Sequence, residues 1–586
     1  MKALKLRMVL PMAALLFVAG IKPARAQAPL EPAQMSPRTL FYVIWHGFPG
    51  SELRKANSLL ALWDDADFAP VRSAMAAGML NSSGEKSAQP KLTPEQMKEF
   101  AGLLENSFSV GYVSEPKGRA VSNAAAPADS KLPAWNGMFF VYDRTGKELL
   151  LAKALLRLRA TEKDAPVLSQ VTIGGVQVLK SEGKGGVSYC AEHGKYAVGA
   201  GERAVMEDIL ARLDGKVAGG ATLAQSAAYQ EAQANLGGGL LEFFLRVPDM
   251  KELAADSKPG AFQTSPLLQA ARIDAVHSIG GRVIFEGART HVQAAVLGDA
   301  AEGTPFDIWS RGQATPASLT LVPAEAVFYN STQFNFSGIY DTVKRVARAA
   351  FPQAQQGNVD MFEAIAQQRL GMPPVEAIGL LTGEVATLQT SPSMDTAKQV
   401  YFFGIRKKPE ALKLIRTIAS ERLGPERNEG DVTFLKLSLG GNQGTAGSAQ
   451  WNFFHLAVTP DMIIAASQSE TLREVLATRA KVPAGGGIAA VPQFQANRAK
   501  YPENVNSLSY LDFLKIDWPG LKNRWVEEAK KSPAVKPVST SNNAGPSTTA
   551  DWLSQINPQV FARHLHYSSS VSWKDAKGIH WDQWIE

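Results

Sequence analysis

The sequence predicts an α+β fold made of two tandem copies of one module, each with an antiparallel or mixed sheet and helices mainly on one face. Three observations lead there. Tyr196–Ala211 aligns without gaps on Met462–Ala477, at an offset of 266 residues. Each stretch reads as a short buried strand, a turn and a helix with apolar positions at helical spacing. Further blocks match in the same order along both halves, and consecutive short strands with short links favour antiparallel meanders over βαβ crossovers.

Taken in order, Lys2, Lys5 and Arg7 precede an apolar run from Met8 to Gly20, and Ala24-Arg25-Ala26 supplies the small residues of a signal peptidase site. The run is about 13 residues, short of the roughly 20 that span a bilayer core. Residues 1–26 are therefore read as a cleaved signal peptide, with cleavage near Ala26, and the mature chain as periplasmic or secreted with no transmembrane span. A tail (27–36), a first module (37–302), a linker (303–318) and a second module (319–586) follow.

Within the modules, Leu40-Phe41-Tyr42 answers Val327-Phe328-Tyr329, each before a helix led by Ser51 or Ser337. Strands are expected at Ser109–Val113 and Glu384–Leu388. Phe139–Tyr142 answers Tyr401–Gly404, and strands follow at Val171–Leu179 and Val187–Ala191, or at Val432–Leu437 and Trp451–Val458. After the strand-turn-helix block, Ala228-Tyr229-Gln230 answers Gln493-Phe494-Gln495. The strand Leu240–Val247 contains Phe244–Val247, which answers Phe513–Ile516, and Val276–Val292 resembles the hairpin Leu565–Trp581. Low-complexity stretches at 82–90, 116–133 and 532–549 fall where surface loops tolerate insertion.

This paired pattern, with its Phe-Tyr opening strand, strand-turn-helix block and Phe-Leu-basic-aliphatic strand, resembles uncharacterised secreted bacterial proteins grouped as a domain-of-unknown-function family. The resemblance covers nearly the whole mature chain. It implies a fold, and no activity or site residue.

Composition narrows the function. The formal charge of +6 falls to about +1 without the five basic residues of the leader, and the remaining cations alternate with acids, as in Glu202, Arg203, Glu207, Asp208 and Arg212. That is a solvated helix face rather than a phosphate-binding stripe, so nucleic acid is not an expected partner. Cys190 is the only cysteine, which excludes an intrachain disulfide and a thiolate metal cluster. It is read as a buried structural thiol.

No cofactor motif holds. Gly199-Ala200-Gly201-Glu202-Arg203-Ala204 fits a dinucleotide fingerprint, but the matching Ala465–Glu470 has no glycine. Two S-x-x-K matches, at Ser83 and Ser181, fall in glycine-containing loops. Asp64-Asp65-Ala66-Asp67 lacks the glycine and distal glutamate of a calcium loop. His564 and His566 are expected on one strand face, whereas His291 and His580 are placed too far from His277 and His566 to share an ion. No metal or cofactor is expected.

One feature lacks a counterpart in the other half. Trp45-His46-Gly47-Phe48-Pro49-Gly50-Ser51 joins a strand to a helix start, where backbone N–H groups can bind an anion. Trp45, His46, Phe48 and Ser51 are the candidate ligand-binding residues. Two functions remain open: a non-catalytic binding or envelope-associated protein using the surface between the modules, with an unknown protein or envelope component as partner; or an exported hydrolase-like enzyme with its site in one copy.

Overall fold

The computed structural model describes residues 28–72, 102–114, 137–148, 167–183, 186–216, 221–247, 266–310, 312, 315–351, 357–394, 398–438, 453–481, 487–531 and 553–586. The expected signal peptide and the three low-complexity stretches lie outside the described residues. The chain divides into two compact units: Met1–Gln263 with His277–Leu297 and Gln555–Asn557, and Thr264–Val276 with Gly298–Ser554 and Pro558–Glu586.

In the first unit, β1 (Thr39–Trp45) lies between β2 (Phe108–Val113) and β8 (Leu241–Arg246), and its run of β-branched and aromatic residues is buried on both faces. From β2 the ladder continues through β3 (Met138–Asp143), β7 (Tyr196–Ala200), β6 (Gly186–His193), β5 (Val176–Gly183) and β4 (Val167–Ile173). On the other side β8 pairs with β9 (Val276–Glu286), which pairs with β10 (Arg289–Gly298). Helices α1 (Ser51–Ala56) and α2 (Ser58–Asp64) follow β1, and α3 (Arg203–Leu213) and α4 (Ala227–Leu236) follow β7. The core joins Tyr42, Ile44, Val141, Val198 and Phe244 to Met206 and Ile209 of α3 and to Leu30 and Met35 of the N-terminal segment.

The second unit opens its helices with α5 (Pro266–Ala270). Its central strand β11 (Phe328–Gln333) pairs with β12 (Leu381–Gln389) and β18 (Ser507–Asp512). The ladder runs outward through β13 (Gln399–Ile405), β17 (Met462–Ala466), β16 (Phe453–Val458), β15 (Val432–Ser438) and β14 (Arg427–Glu429). Beyond β18 lie β19 (Tyr567–Asp575) and β20 (Gly578–Ile585). The helices are α6 (Phe336–Ala350), α7 (Gly357–Leu370), α8 (Pro374–Gly379), α9 (Lys408–Ala419), α10 (Ser469–Lys481), α11 (Pro492–Arg498), α12 (Trp518–Lys531) and α13 (Gln559–His564). None of the helices among the described residues is long and apolar enough to cross a membrane.

The expected fold class is corrected. Among the described residues all ladders are antiparallel, and the strands form one open sheet of twenty instead of one sheet per module. Helices are not gathered mainly on one face. In the second unit Ala457, Ile464 and Ala466 pack with Leu472 and Val475 of α10, while their neighbours Leu456, Val458 and Ala465 pack with Ala411 and Leu412 of α9. Successive strand residues point to opposite faces, so α9 and α10 cover opposite sides. A duplicated module is not shown: agreement in the order of pairing is agreement in topology, and it does not show that one segment was copied from the other.

Two strand expectations also change. Val171–Leu179 is split by Gly174 and Gly175, whose φ values of 58° and 85° make the tight turn between β4 and β5. Phe513–Lys515 is a 3-10 turn after β18, because the Asp512 carboxylate accepts from the Leu514 N–H and ends the strand. The stretch expected as a linker, 303–318, contains the 3-10 turn Pro305–Ile308 and buried residues Phe306 and Ser318.

Candidate functional site

The four candidate residues of the β1 loop part company. Strand alternation places Tyr42, Ile44 and then His46 toward the core shared with Phe244, and Trp45 toward the other face. The His46 N–H donates to the Leu240 carbonyl at 2.9 Å, which extends the β1–β8 ladder by one residue and carries the imidazole inward to 2% exposure. Trp45 donates its indole N–H to the Leu104 carbonyl at 2.6 Å and meets Phe48 edge-on, with ring centroids 5.2 Å apart. Phe48 also packs against Trp63 and carries the Arg54 guanidinium 4.6 Å over its ring. Ser51 is exposed at the start of α1, a six-residue helix whose cap, Gly50, offers no side chain.

The turn itself is fixed by sterics. Gly47 has φ +86°, and a Cβ there would stand 2.7 Å from the Glu105 carbonyl oxygen. Any other residue would force the backbone of this turn to shift.

What surrounds His46 is acidic and aromatic. Its Nδ1 is 4.0 Å from Oε1 of Glu31, in the N-terminal segment, and its Nε2 is 3.8 Å from Oε1 of Glu242, on β8. Glu31 is held in place because its carboxylate accepts from the Ala28 N–H at 3.0 Å, and Ser109 Oγ grips Leu30 through both its N–H and its carbonyl. Glu242 accepts from the Gly239 N–H at 2.8 Å. Both carboxylates are within ion-pair distance of the imidazole but beyond hydrogen-bond reach. Tyr42 stacks on Phe244 at 5.9 Å, and burial, then Tyr229, Glu242 and Glu31, pushes its phenol well above its ordinary range. Tyr42 is thus a neutral hydroxyl. The void beside these groups, lined by Tyr42, Tyr229, Gln233, Glu242 and Phe244, measures about 10 Å³, room for one water at most.

A histidine between two carboxylates can relay or hold a proton. Here the imidazole is enclosed, and Ser51, the one hydroxyl among the four candidates, stands exposed at the start of α1. Glu31 and Glu242 escaped the reading of the sequence. Glu242 had a visible signal: it is the one acid in the apolar run Leu240–Val247, and an acid in a buried strand calls for a partner.

A second buried carboxylate, Glu384 on β12, was also missed. It accepts from the Ala317 and Ser318 N–H groups, both at 2.9 Å, and from Ser318 Oγ at 2.5 Å. Ser318 Oγ lies 2.8 Å from the Tyr329 hydroxyl, whose ionisation is pushed up first by burial and then by Glu384. Glu384 is 3% exposed and closes the start of the 3-10 turn Ala317–Leu321.

The other candidates resolve into local structure. His564 ends α13, so it does not share a strand with His566. His580 stacks on Trp573, its cross-strand partner, and its Nε2 is 3.1 Å from Asp575. Gly199–Gly201 is the turn from β7 toward α3, and Cys190 is half-buried within β6. Among the described residues, no three His, Cys, Asp or Glu side chains are grouped to hold a metal ion. Compared with protein-family models, curated proteins and solved structures, the chain matches none of them.

Proposed function

We propose that this chain is an exported, non-catalytic binding protein and that its contact surface is the apolar face of α6, α7, α8 and α9. The observation that carries the reading is the exposure of Val343, Met361, Phe362, Ile365, Val375 and Ile418 on these mutually packed helices. Phe362 is 58% exposed, and of the 14 residues of α7 only Val359 is buried. A helix draws most of its stability from packing an apolar face, and a group of exposed apolar side chains on a soluble surface marks an interaction site. Phe362, Met361 and Ile365 are 58%, 51% and 40% exposed, so covering them would gain on the order of 1 kcal/mol each, which offsets part of the cost of association. The enclosure of His46 supports the non-catalytic half of the reading.

The test places a photo-crosslinking residue at position 362, 418 or 55 of the exported protein and irradiates it in place. Position 55 is the control, since Lys55 is exposed on α1 of the other unit. Discrete adducts at 362 and 418 but not at 55, lost from 418 when Phe362→Asp is added, are the expected result. Equal labelling at all three positions, or none, defeats the proposal.

A further inference from the structure

The outer strands of the two units end their ladders differently. β14 is three residues long, fully exposed, and two of the three carry charge, with Arg427 Nε 2.9 Å from Glu429 Oε1. Short, charged edges of this kind resist further pairing. β4 is seven residues long, Val167-Leu-Ser-Gln-Val-Thr-Ile173, with no charge and no proline. Among the described strands it pairs only with β5. Val167 is 71% exposed and Leu168 47%, and Ser169 and Gln170 are also exposed. The neighbouring ends of β5 and β6 are open too: Glu182, Gly183, Gly186 and Ser188 are exposed.

We infer that β4 is a strand-addition site at which a second copy of this chain pairs, β4 to β4, antiparallel about a two-fold axis through Gln170. Strand addition supplies backbone hydrogen bonds along this edge, where the Thr172 carbonyl now accepts from the Arg203 guanidinium at 3.3 Å and would exchange that donor for the Leu168 N–H of the second copy, and the side chains set the partner. The sequence of β4 is complementary to itself in this register. Val167 faces Ile173 of the second copy, Leu168 faces Thr172, Ser169 faces Val171, and Gln170 faces Gln170. No like charges oppose, which is the condition a two-fold edge must meet because every residue meets its own kind or its mirror position. On the face where Val171 and Ile173 lie beside Val178 and Val176 of β5, the exposed Val167 of the second copy meets Ile173 and its Ser169 meets Val171, while Glu182 and Lys180 of β5 give the outer part of that face its charges. The β-branched content, Val167, Val171, Thr172 and Ile173, suits a strand flanked on both sides. The inference is independent of the helix face proposed above.

The two-fold axis makes Gln170 the test position, since a charge placed there meets itself. The full mature chain and its Gln170→Lys and Gln170→Glu variants are followed by sedimentation over a range of concentrations at low salt, with circular dichroism as a check on folding. The parent chain is expected to dimerise, each variant to raise the dimer Kd roughly tenfold or more, and an equimolar mixture of the two variants to restore dimers. Restoration by mixing cannot arise from unfolding. A parent chain that is monomeric at every concentration, variants that dimerise as the parent does, or a mixture that stays monomeric would each overturn it. So would a monomer that takes up a synthetic Val167–Ile173 peptide without self-association, which reassigns the edge to a foreign extended segment.

Discussion

Glu384 and Glu242 are both carboxylates sunk in strands, and each lies beside a buried tyrosine, yet they are held in opposite ways. The partners of Glu384 include two backbone N–H groups and a serine hydroxyl that exist at every pH. Glu242 accepts the Gly239 N–H and faces an imidazole 3.8 Å away, which itself stands between two acids. The first arrangement fixes a turn. The second couples three elements, the N-terminal segment, β1 and β8, through one side chain that stands between them.

The largest effect is expected where the donors are fixed. Glu384→Ala leaves the Ala317 and Ser318 N–H groups and the Ser318 hydroxyl buried without this acceptor, and should cost about 3–5 kcal/mol in a denaturant titration. Glu384→Gln, which keeps one carbonyl acceptor, should cost less than half as much. Equal losses would mean that shape rather than hydrogen bonding holds the turn.

A smaller effect is expected at His46, and it lies in the coupling. In a double-mutant cycle His46→Ala and Glu242→Ala should be non-additive by about 1–2 kcal/mol, because the two side chains face each other at 3.8 Å. His46→Ala combined with Glu384→Ala, which belong to different units, should add within about 0.5 kcal/mol. Additivity at the first pair would reduce Glu242 to a residue held by Gly239, no different in kind from Glu384.

How much of this was legible depends on which physical signal each residue carries. The hairpins were readable: the matched stretches Val276–Val292 and Leu565–Trp581 contain the turns that join β9 to β10 and β19 to β20. The Gly174-Gly175 turn was equally present in the sequence, but the apolar residues on either side read as one strand. The placement of helices on both faces was signalled by Met462-Ile-Ile-Ala-Ala466, an uninterrupted apolar run where a one-faced sheet would alternate. His46 stood out as a residue type. Its partners did not, because Glu31 and Glu242 are 15 and 196 residues away along the chain, and only the pairing of β1 with β8 and the docking of Leu30 bring them together.

The comparison extends to a third carboxylate, one that is neither deeply buried nor held by the backbone. Glu363 on α7 accepts from Lys344 at 2.7 Å and from the Tyr340 hydroxyl, both on α6, and so ties together two of the helices that carry the exposed apolar face. The Lys344 hydrogen bond, and then that of Tyr340, hold the Glu363 carboxyl below the ordinary glutamate range, while the Tyr340 phenol is pushed up to about 12, by burial first and then by Glu363. Because the folded-state value is depressed, the stabilisation is present above the ordinary glutamate range and disappears as pH falls through the lowered value. Glu363→Gln should therefore lower the thermal midpoint by a degree or two between about pH 7 and about pH 5, with the difference closing in more acidic solution. A difference that persists unchanged into strong acid would show that α6 and α7 are joined by packing rather than by this charge. In that case the exposed face could be altered through Glu363 without loosening the helices beneath it.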